Sequence, residues 1–440
     1  RPTLIVMDSH IGYGSPRKHD SAEAHGEPLG TEEVRASKRN YGWPEDAEFL
    51  VPEGVREHFA AGIGARGAAA SRAWRERLER YRTAYPALAA EIEQMQGREL
   101  PRCWEADLPV FPADGKGIAG RDAAGAALNA LATRIPWLLG GSADLGPSNR
   151  TTLKFPGAGD FQTTSRGGRN LHFGIREHAM AAVVNGMVLS KLRAFGATFF
   201  IFSDYARPAI RLSALMELPT LFVFTHDAMG DGEDGPTHQP IEHLASFRAI
   251  PGLSVWRPGD ANEVVEAFRC IMKLRHRPAL IALSRQPLPT LDRSRYASAS
   301  GVERGAYVLA DTPGRVPQVI LIATGSELQV AVHAHESLVA EGVRSRVVSM
   351  PSWDLFEQQP ASYRDQVLPP AVSARIAIEQ ASTFGWERYV GARGRVIGMH
   401  TFGASAPLKE LERRFGFAPD SIIAAARELI DRDVPASPGR

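Results

Sequence analysis

From about residue 117 onward, short runs of branched apolar residues alternate with stretches at helical spacing. IPWLLGGSADL, TFFIF, TLFVFTHD, LSVWRPG and ALIALSRQ make a first series, and VILIATGS, SRVVSMPS, RIAIEQ and RVIGMHTFG a second. A strand that is apolar throughout needs cover on both faces, and helices between successive strands provide it in parallel sheets. The pattern predicts an α/β chain with two doubly wound, mainly parallel sheet domains. Asp260 is placed to cap the helix ANEVVEAFRCIMKL, whose Val264, Phe268 and Ile271 recur at helical spacing. Ser326 is placed to cap ELQVAVHAHESLVAEG in the same way. The polar, Ser-rich stretch from Arg293 to Arg304 has no apolar period and marks the boundary, so the two domains are expected at 113–292 and 293–440.

What precedes them is different. Thr3 to Met7 reads as a strand, which suggests an opening from the middle of a domain. Residues 10–52 are rich in Gly, Pro, Asp and Glu and read as a long loop region, the kind usually kept for function. VREHFAAGI and SRAWRERLERYRTAYPALAAEIEQM mix charged and apolar positions at helical spacing. The expected organisation is a remnant of a first domain at 1–52 and a helical linker at 53–112.

Composition excludes several classes. Lys+Arg is 51 and Asp+Glu 50, a balance with no basic face for nucleic acid or a membrane surface. No apolar run approaches the roughly 20 residues that span a bilayer. Cys103 and Cys270 are the only cysteines, too few for a disulfide framework or a thiolate metal cluster. A reducing, cytoplasmic setting is the expectation.

In open α/β sheets, ligands bind beyond the carboxyl ends of the strands. WLLGG is followed by Ser142, Asp144 and Ser148, LFVFT by His226 and Asp227, and LIAL by Ser284 and Arg285. The loop from Gly230 to Pro240 adds Asp231, Glu233, Asp234 and His238. It fits no calcium-loop spacing and lacks a P-loop lysine. It reads either as a solvated turn or as a polyol or phosphate contact, since its flanking histidines exchange protons near neutrality. In FGIREHAMAAVVNG, Glu177 enters a helix whose Ala179, Ala182, Val183 and Gly186 could share one packed face. An acid in a first helical turn commonly offsets the helix dipole. The sharper reading is a buried carboxyl kept for proton chemistry. Spacing does not separate the two.

GIREHAM, GGSADLGPSN, ALSRQ and THDAMGDGEDGPTHQPIEHLASFRAIPGLSVWRP together resemble the transketolase family. HIGYGSP, HGEPLG, ATGSE, VVSMPS and TFGASAP extend the resemblance through nearly the whole chain. It implies thiamine diphosphate as cofactor and transfer of a two-carbon ketol unit from a ketose phosphate to an aldose phosphate. Glu177 matches the glutamate that contacts N1′ of the aminopyrimidine and favours the tautomer able to take the thiazolium C2 proton. Phe199, Phe202 and Tyr205 match the rings packed on the aminopyrimidine, although plain core packing is the commoner fate of such residues. Asp144 and Ile11 match positions on the cofactor side. Arg121, Ser148 and Arg285 match the groups that hold the sugar phosphate, a task suited to the guanidinium fork. Asp234 matches the reader of the aldose C2 hydroxyl, and His226, His238 and His25 match histidines near the reacting carbons, with His238 and His25 in catalytic positions.

The resemblance also implies Mg2+ or Ca2+, with ligands in a pyrophosphate-binding domain of roughly two hundred residues, an ordinary domain size. GDGEDG at 230–235 is not that metal motif, and no residue here is assigned to the metal. The implied partners are sugar phosphates and either a second copy or a chain carrying the pyrophosphate-binding domain. The rival readings are a dihydroxyacetone synthase-like transfer and a non-catalytic partner subunit.

Overall fold

The computed structural model describes residues 3–312, 314 and 316–433, so the outermost ends of the expected first and last domains, at 1–2 and 434–440, lie outside the described residues. The chain forms two units, Arg1–Ala89 and Ala90–Arg440.

In the first unit the expected strand from Thr3 to Met7 is absent. Leu4, Ile5, Val6 and Met7 are exposed and form no strand, because no neighbouring strand among the described residues of this unit takes up their backbone groups. The expected loop of 10–52 contains the helix Thr31–Asn40, whose buried Glu33 accepts hydrogen bonds from the Ser15 hydroxyl, the Arg17 amide at 2.8 Å and Arg17 Nε at 2.7 Å. One carboxylate thus ties the preceding turns to the helix. The anticipated helices follow at Val55–Phe59, Ala65–Ala84 and Pro86–Gln96.

The second unit holds both sheets. Its strands are β1 (Asp114–Ala119), β2 (Leu138–Ser142), β3 (Asn170–His172), β4 (Arg193–Phe199), β5 (Leu221–Thr225), β6 (Ser254–Trp256), β7 (Ala279–Leu283), β8 (Pro287–Thr290), β9 (Tyr307–Asp311), β10 (Val319–Ala323), β11 (Ser345–Ser349), β12 (Arg375–Ser382) and β13 (Arg395–Met399). A six-stranded sheet runs β3-β2-β4-β5-β7-β6 with every pairing parallel. A five-stranded sheet runs β13-β12-β10-β11-β9, parallel except for β9. β1 and β8 pair as an antiparallel ribbon. The doubly wound, mainly parallel architecture expected from the apolar runs is present.

The alternation of side chains explains why those runs look continuous. Along β5 and β7, Leu221, Val223, Ala279, Ile281 and Leu283 enter one core. Phe222, Phe224, Leu280 and Ala282 enter the other, against Phe200 and Phe247. Both faces are covered, so both phases of the two-residue period are apolar. Gly141 in β2 lets β3 approach, since a Cβ there would lie 1.7 Å from the Leu171 carbonyl oxygen.

Asp260 caps as expected: its Oδ1 accepts from the Glu263 amide at 2.9 Å. It also accepts from the Leu291 amide at 3.1 Å and from Arg293 at 2.7 Å. Asp260→Ala is expected to cost about 2 kcal/mol in urea unfolding, from the lost cap and the orphaned donors. Ser326 does not cap. Its backbone is already helical, and its hydroxyl donates to the buried Glu327 carboxylate instead.

The helix Glu177–Leu189 reverses the expected facing. Glu177, Met180, Ala181, Val184, Asn185 and Val188 are buried, whereas Ala179, Ala182, Val183 and Gly186 face out. Burying Glu177 beneath β4 sets the rotation, and the positions three and four residues on follow it inward.

Candidate active site

The carboxyl ends of β2, β4, β5 and β7 carry most of the residues expected to act. Glu177 opens its helix after β3 and is 7% exposed, with Thr198 Oγ1 of β4 donating to its Oε1 at 3.4 Å. Glu177 lines a cavity of about 680 Å³ together with Ile175, Arg176, His178, Ala179, Phe202 and Tyr205. An apolar, ring-lined space with one carboxyl group at its wall suits a flat heteroaromatic ring that offers a nitrogen to that carboxyl. The aminopyrimidine of thiamine diphosphate fits that description.

β4 ends in a tight turn that presents the aromatic run. Phe199 and Phe202 stack at 5.8 Å with 13° between their planes, and Tyr205 lies 6.4 Å from Phe202. Phe200, between them, points into the core. The same rings meet two histidines. His226 sits 3.6 Å from Phe199, and His238 makes edge contacts with Phe202 at 5.6 Å and Phe199 at 6.4 Å.

His226 follows β5 directly and has a left-handed backbone, φ 63°. Asp144, after β2, does the same at φ 62°. Such conformations are costly for residues other than glycine and concentrate at functional sites. A buried polar chain holds His226: Ser142 Oγ donates to Asn149 Oδ1 at 2.6 Å, Asn149 Nδ2 donates to Thr225 Oγ1 at 2.7 Å, and Thr225 Oγ1 lies 2.7 Å from His226 Nδ1. Burial, then the positive charges of Arg121 and Arg285 and the nearby His238, pull the His226 pKa down to about 3. Its imidazole is therefore neutral throughout the physiological range and offers one donor and one acceptor. The same field brings Arg121 and Arg285 to one locus with His226. Arg121 Nη1 donates to the Ser148 carbonyl at 3.0 Å, joining those two expected contacts.

Asp234 and Asp144 are exposed, Asp234 on the loop that ends in His238. His25 lies in the short helix Glu23–Gly26 of the first unit, and Ile11 lies in a turn there, 43% exposed. Sequence reasoning left out Thr198, Asn149 and Thr225, which orient Glu177 and His226, and Ile175, Arg176 and His178, which line the cavity. Asn149, Arg176 and His178 lie inside the motifs GGSADLGPSN and GIREHAM, which was the available signal. Thr225 likewise opens the motif beginning THDAMGD, whereas Thr198 carried none, as threonine within an apolar strand is ordinary.

Three family models cover most of the chain. The transketolase thiamine diphosphate binding domain matches residues 1–101, the transketolase pyrimidine binding domain 116–290, and the transketolase-like C-terminal domain 305–418. The first match takes in both the segment at 1–52 and the helices that sequence reading had set apart as a linker. A transketolase of Geobacillus stearothermophilus is 49% identical over 433 residues, covering 98% of this chain and 64% of the relative. A chloroplastic transketolase of Craterostigma plantagineum is 47% identical, covering 98% of this chain and 82% of the relative. A crystal structure of a Pichia stipitis transketolase in complex with sedoheptulose 7-phosphate superposes with a TM-score of 0.88 at 36% identity, covering 96% of this chain and 62% of that one. The chain thus spans slightly under two thirds of the length of the first of these relatives.

Proposed function

Because this chain belongs to the transketolase family, we propose that it serves thiamine diphosphate-dependent transfer of a two-carbon ketol unit, from a ketose phosphate such as xylulose 5-phosphate to an aldose phosphate such as ribose 5-phosphate. The observation that carries the proposal is Glu177, buried at the wall of an apolar cavity shared with Phe202 and Tyr205, with the His226, Arg121 and Arg285 cluster close by. Thiamine diphosphate supplies the carbon nucleophile and electron sink for ketol transfer. In this reading Phe199, Phe202 and Tyr205 hold the aminopyrimidine ring, and Glu177 holds a proton against its ring nitrogen. Asp144 belongs to the cofactor side, and Ile11 of the first unit is assigned a cofactor contact by its match to the family alone. Arg121, Ser148 and Arg285 bind the sugar phosphate, and two guanidinium groups suit a dianion. Neutral His226 bonds a sugar hydroxyl or carbonyl without adding charge, while His238 exchanges protons with the reacting oxygens; His25 of the first unit is assigned a catalytic role by its match to the family alone. Mg2+ or Ca2+ would bind the diphosphate through residues other than those named here.

A homodimer belongs to the same proposal. Ala179, Ala182, Val183 and Gly186 form a smooth exposed face, and Leu189, Leu212 and Leu215 are about half exposed or more. A second copy, or a chain bearing the pyrophosphate-binding domain, is the proposed cover. The free cysteines, Cys103 and Cys270, accord with a cytoplasmic setting, also proposed.

The test is sedoheptulose 7-phosphate formation from xylulose 5-phosphate and ribose 5-phosphate with thiamine diphosphate and Mg2+, with and without a separately supplied pyrophosphate-binding domain. Formation in either mixture upholds the reading. Preference for formaldehyde as acceptor would favour dihydroxyacetone synthesis, and inactivity in a verified complex would favour a non-catalytic subunit. Asp234→Ala is expected to reduce the preference for ribose over arabinose 5-phosphate, its C2 epimer, by about 10- to 100-fold, the worth of a charged hydrogen bond. An unchanged ratio would remove Asp234 from that role.

A further inference from the structure

The loop that carries Asp234 and His238 leaves the six-stranded sheet and rests on the other domain of its unit. Three contacts make the attachment. The Gln239 side chain is 1% exposed, and its Nε2 donates both to the Gly232 carbonyl at 3.1 Å and to the Ala404 carbonyl at 3.0 Å. The Ser405 hydroxyl donates to the Glu233 carbonyl at 2.6 Å. The Ala406 amide donates to the Gly232 carbonyl at 3.4 Å. The fit is close on both sides. Gly232 has φ 55°, and a Cβ on it would lie 2.8 Å from the Ala406 carbonyl oxygen. A Cβ on Gly403 would lie 1.8 Å from Gln239 Oε1. Gly232 is therefore required by the approach of one backbone to the other, and Gly403 leaves room for the Gln239 side chain. At the start of the loop, Asp227 is held separately by Arg257 Nε at 2.8 Å.

We propose that Gln239 and Ser405 are positioning residues through which the segment Gly403–Ala406 of the C-terminal domain sets the acceptor stereoselectivity of the neighbouring pyrimidine domain. Neither residue is placed to touch substrate. Ser405 grips the carbonyl immediately before Asp234, and Gln239 closes the loop immediately after His238. A carboxylate that reads one hydroxyl must be held to within about half an ångström to discriminate between epimers. An exposed loop gains that precision only from outside itself, here from the C-terminal domain. The inference rests on the proposed ketol transfer for its kinetic readout but not for its structural one.

The test uses Gln239→Met, which removes both amide donors at nearly constant volume, and Ser405→Ala, on the exposed side of the contact. Two measurements are made on the thiamine diphosphate- and Mg2+-loaded protein in its active assembly. The first is amide hydrogen exchange of the segment 229–239, expected to quicken about tenfold in either variant, as loss of one or two net hydrogen bonds predicts. The second is ketol transfer from hydroxypyruvate, which delivers a two-carbon unit with release of CO2 and has no hydroxyl for Asp234 to read. The ribose to arabinose 5-phosphate preference is expected to fall about tenfold, while kcat with 2-deoxyribose 5-phosphate falls by clearly less, since the same loop also carries His238. Exchange that is unaltered in both variants overturns the proposed attachment. Quickened exchange with an intact epimer preference, or an equal loss with the 2-deoxy acceptor, overturns the assignment to stereoselectivity. A wild-type protein inactive with every acceptor in its verified complex would overturn the ketol-transfer reading and the stereoselectivity with it, and the exchange comparison would still decide the attachment.

Discussion

Glu177→Ala is expected to lower ketol transfer by about 10²- to 10⁴-fold, the range for a positioned proton-transfer group. The reason lies in where the carboxyl is kept. Its side chain is almost wholly withdrawn from solvent, at the first turn of the helix that follows β3, with the Thr198 hydroxyl as its neighbour. Water that fills the space vacated by the carboxyl cannot reproduce its orientation toward a ring held by Phe202 and Tyr205. The fold should survive the change, since the apolar side of that helix is anchored by Met180, Ala181, Val184 and Val188. Glu177→Gln keeps the shape and one acceptor, and should lose nearly as much activity, which separates proton transfer from packing. The check is turnover of each variant in the loaded assembly, with thermal unfolding recorded in parallel. Near-normal turnover in either variant would remove Glu177 from the proposed role.

Arg257→Met should destabilise the second unit by about 3–5 kcal/mol, the usual cost of stripping the partner from a buried charge. Arg257 is fully buried at the junction of the two sheet domains. Its Nε donates to Asp227 at 2.8 Å, and its Nη1 donates to Glu327 and to Thr324 Oγ1 at 2.9 Å. Thr324 Oγ1 donates in turn to Glu379 at 2.6 Å, and Arg248 grips Glu379 with two bonds of 2.7 Å. Three carboxylates thus share two guanidinium groups, and removing one of these leaves excess negative charge in a low dielectric. The pH dependence follows from Glu379. Burial opposes its ionisation, but the charge and hydrogen bonds of Arg248, with the charge of Arg257, outweigh burial and hold its pKa at about 2. A depressed carboxylate contributes stability that is complete above its ordinary value near 4.5 and lost as pH falls toward 2. Without Arg257 that depression should shrink, so the penalty of the mutation should be largest near neutrality and decrease in acid. Urea unfolding of wild type and variant from pH 7 down to about pH 2 measures it, and a penalty that does not shrink below about pH 4.5 would contradict this account.

The two arguments draw on different kinds of information. The alternation of apolar runs and helical stretches, the Asp260 cap and the residues that follow each strand are local features, set by periods of 2 and 3.6 residues and by side chains reaching their own backbone. Those features were legible in the linear chain, and with them the two mainly parallel sheets and the grouping of His226, Asp234, His238 and Arg285 at strand ends. The long motifs identified the family for the same reason: they are contiguous. Tertiary structure decided what depends on residues far apart in the chain. It turned Ala179, Ala182, Val183 and Gly186 outward, because burial of Glu177 fixed the helix rotation. It left Thr3 to Met7 without a sheet, because a strand exists only where a partner accepts its hydrogen bonds. It made His226 a neutral imidazole by burying it, with Arg121 and Arg285 placed nearby, and it drew Ser326 from capping to the side of a buried glutamate. Arg257 and Gln239 lie inside the long motif that carried the resemblance, but nothing in that motif showed what they would bond. Glu327 and Thr324 for Arg257, and Ala404 for Gln239, are dozens of residues away or more and come within hydrogen-bond reach only when the two sheet domains pack together.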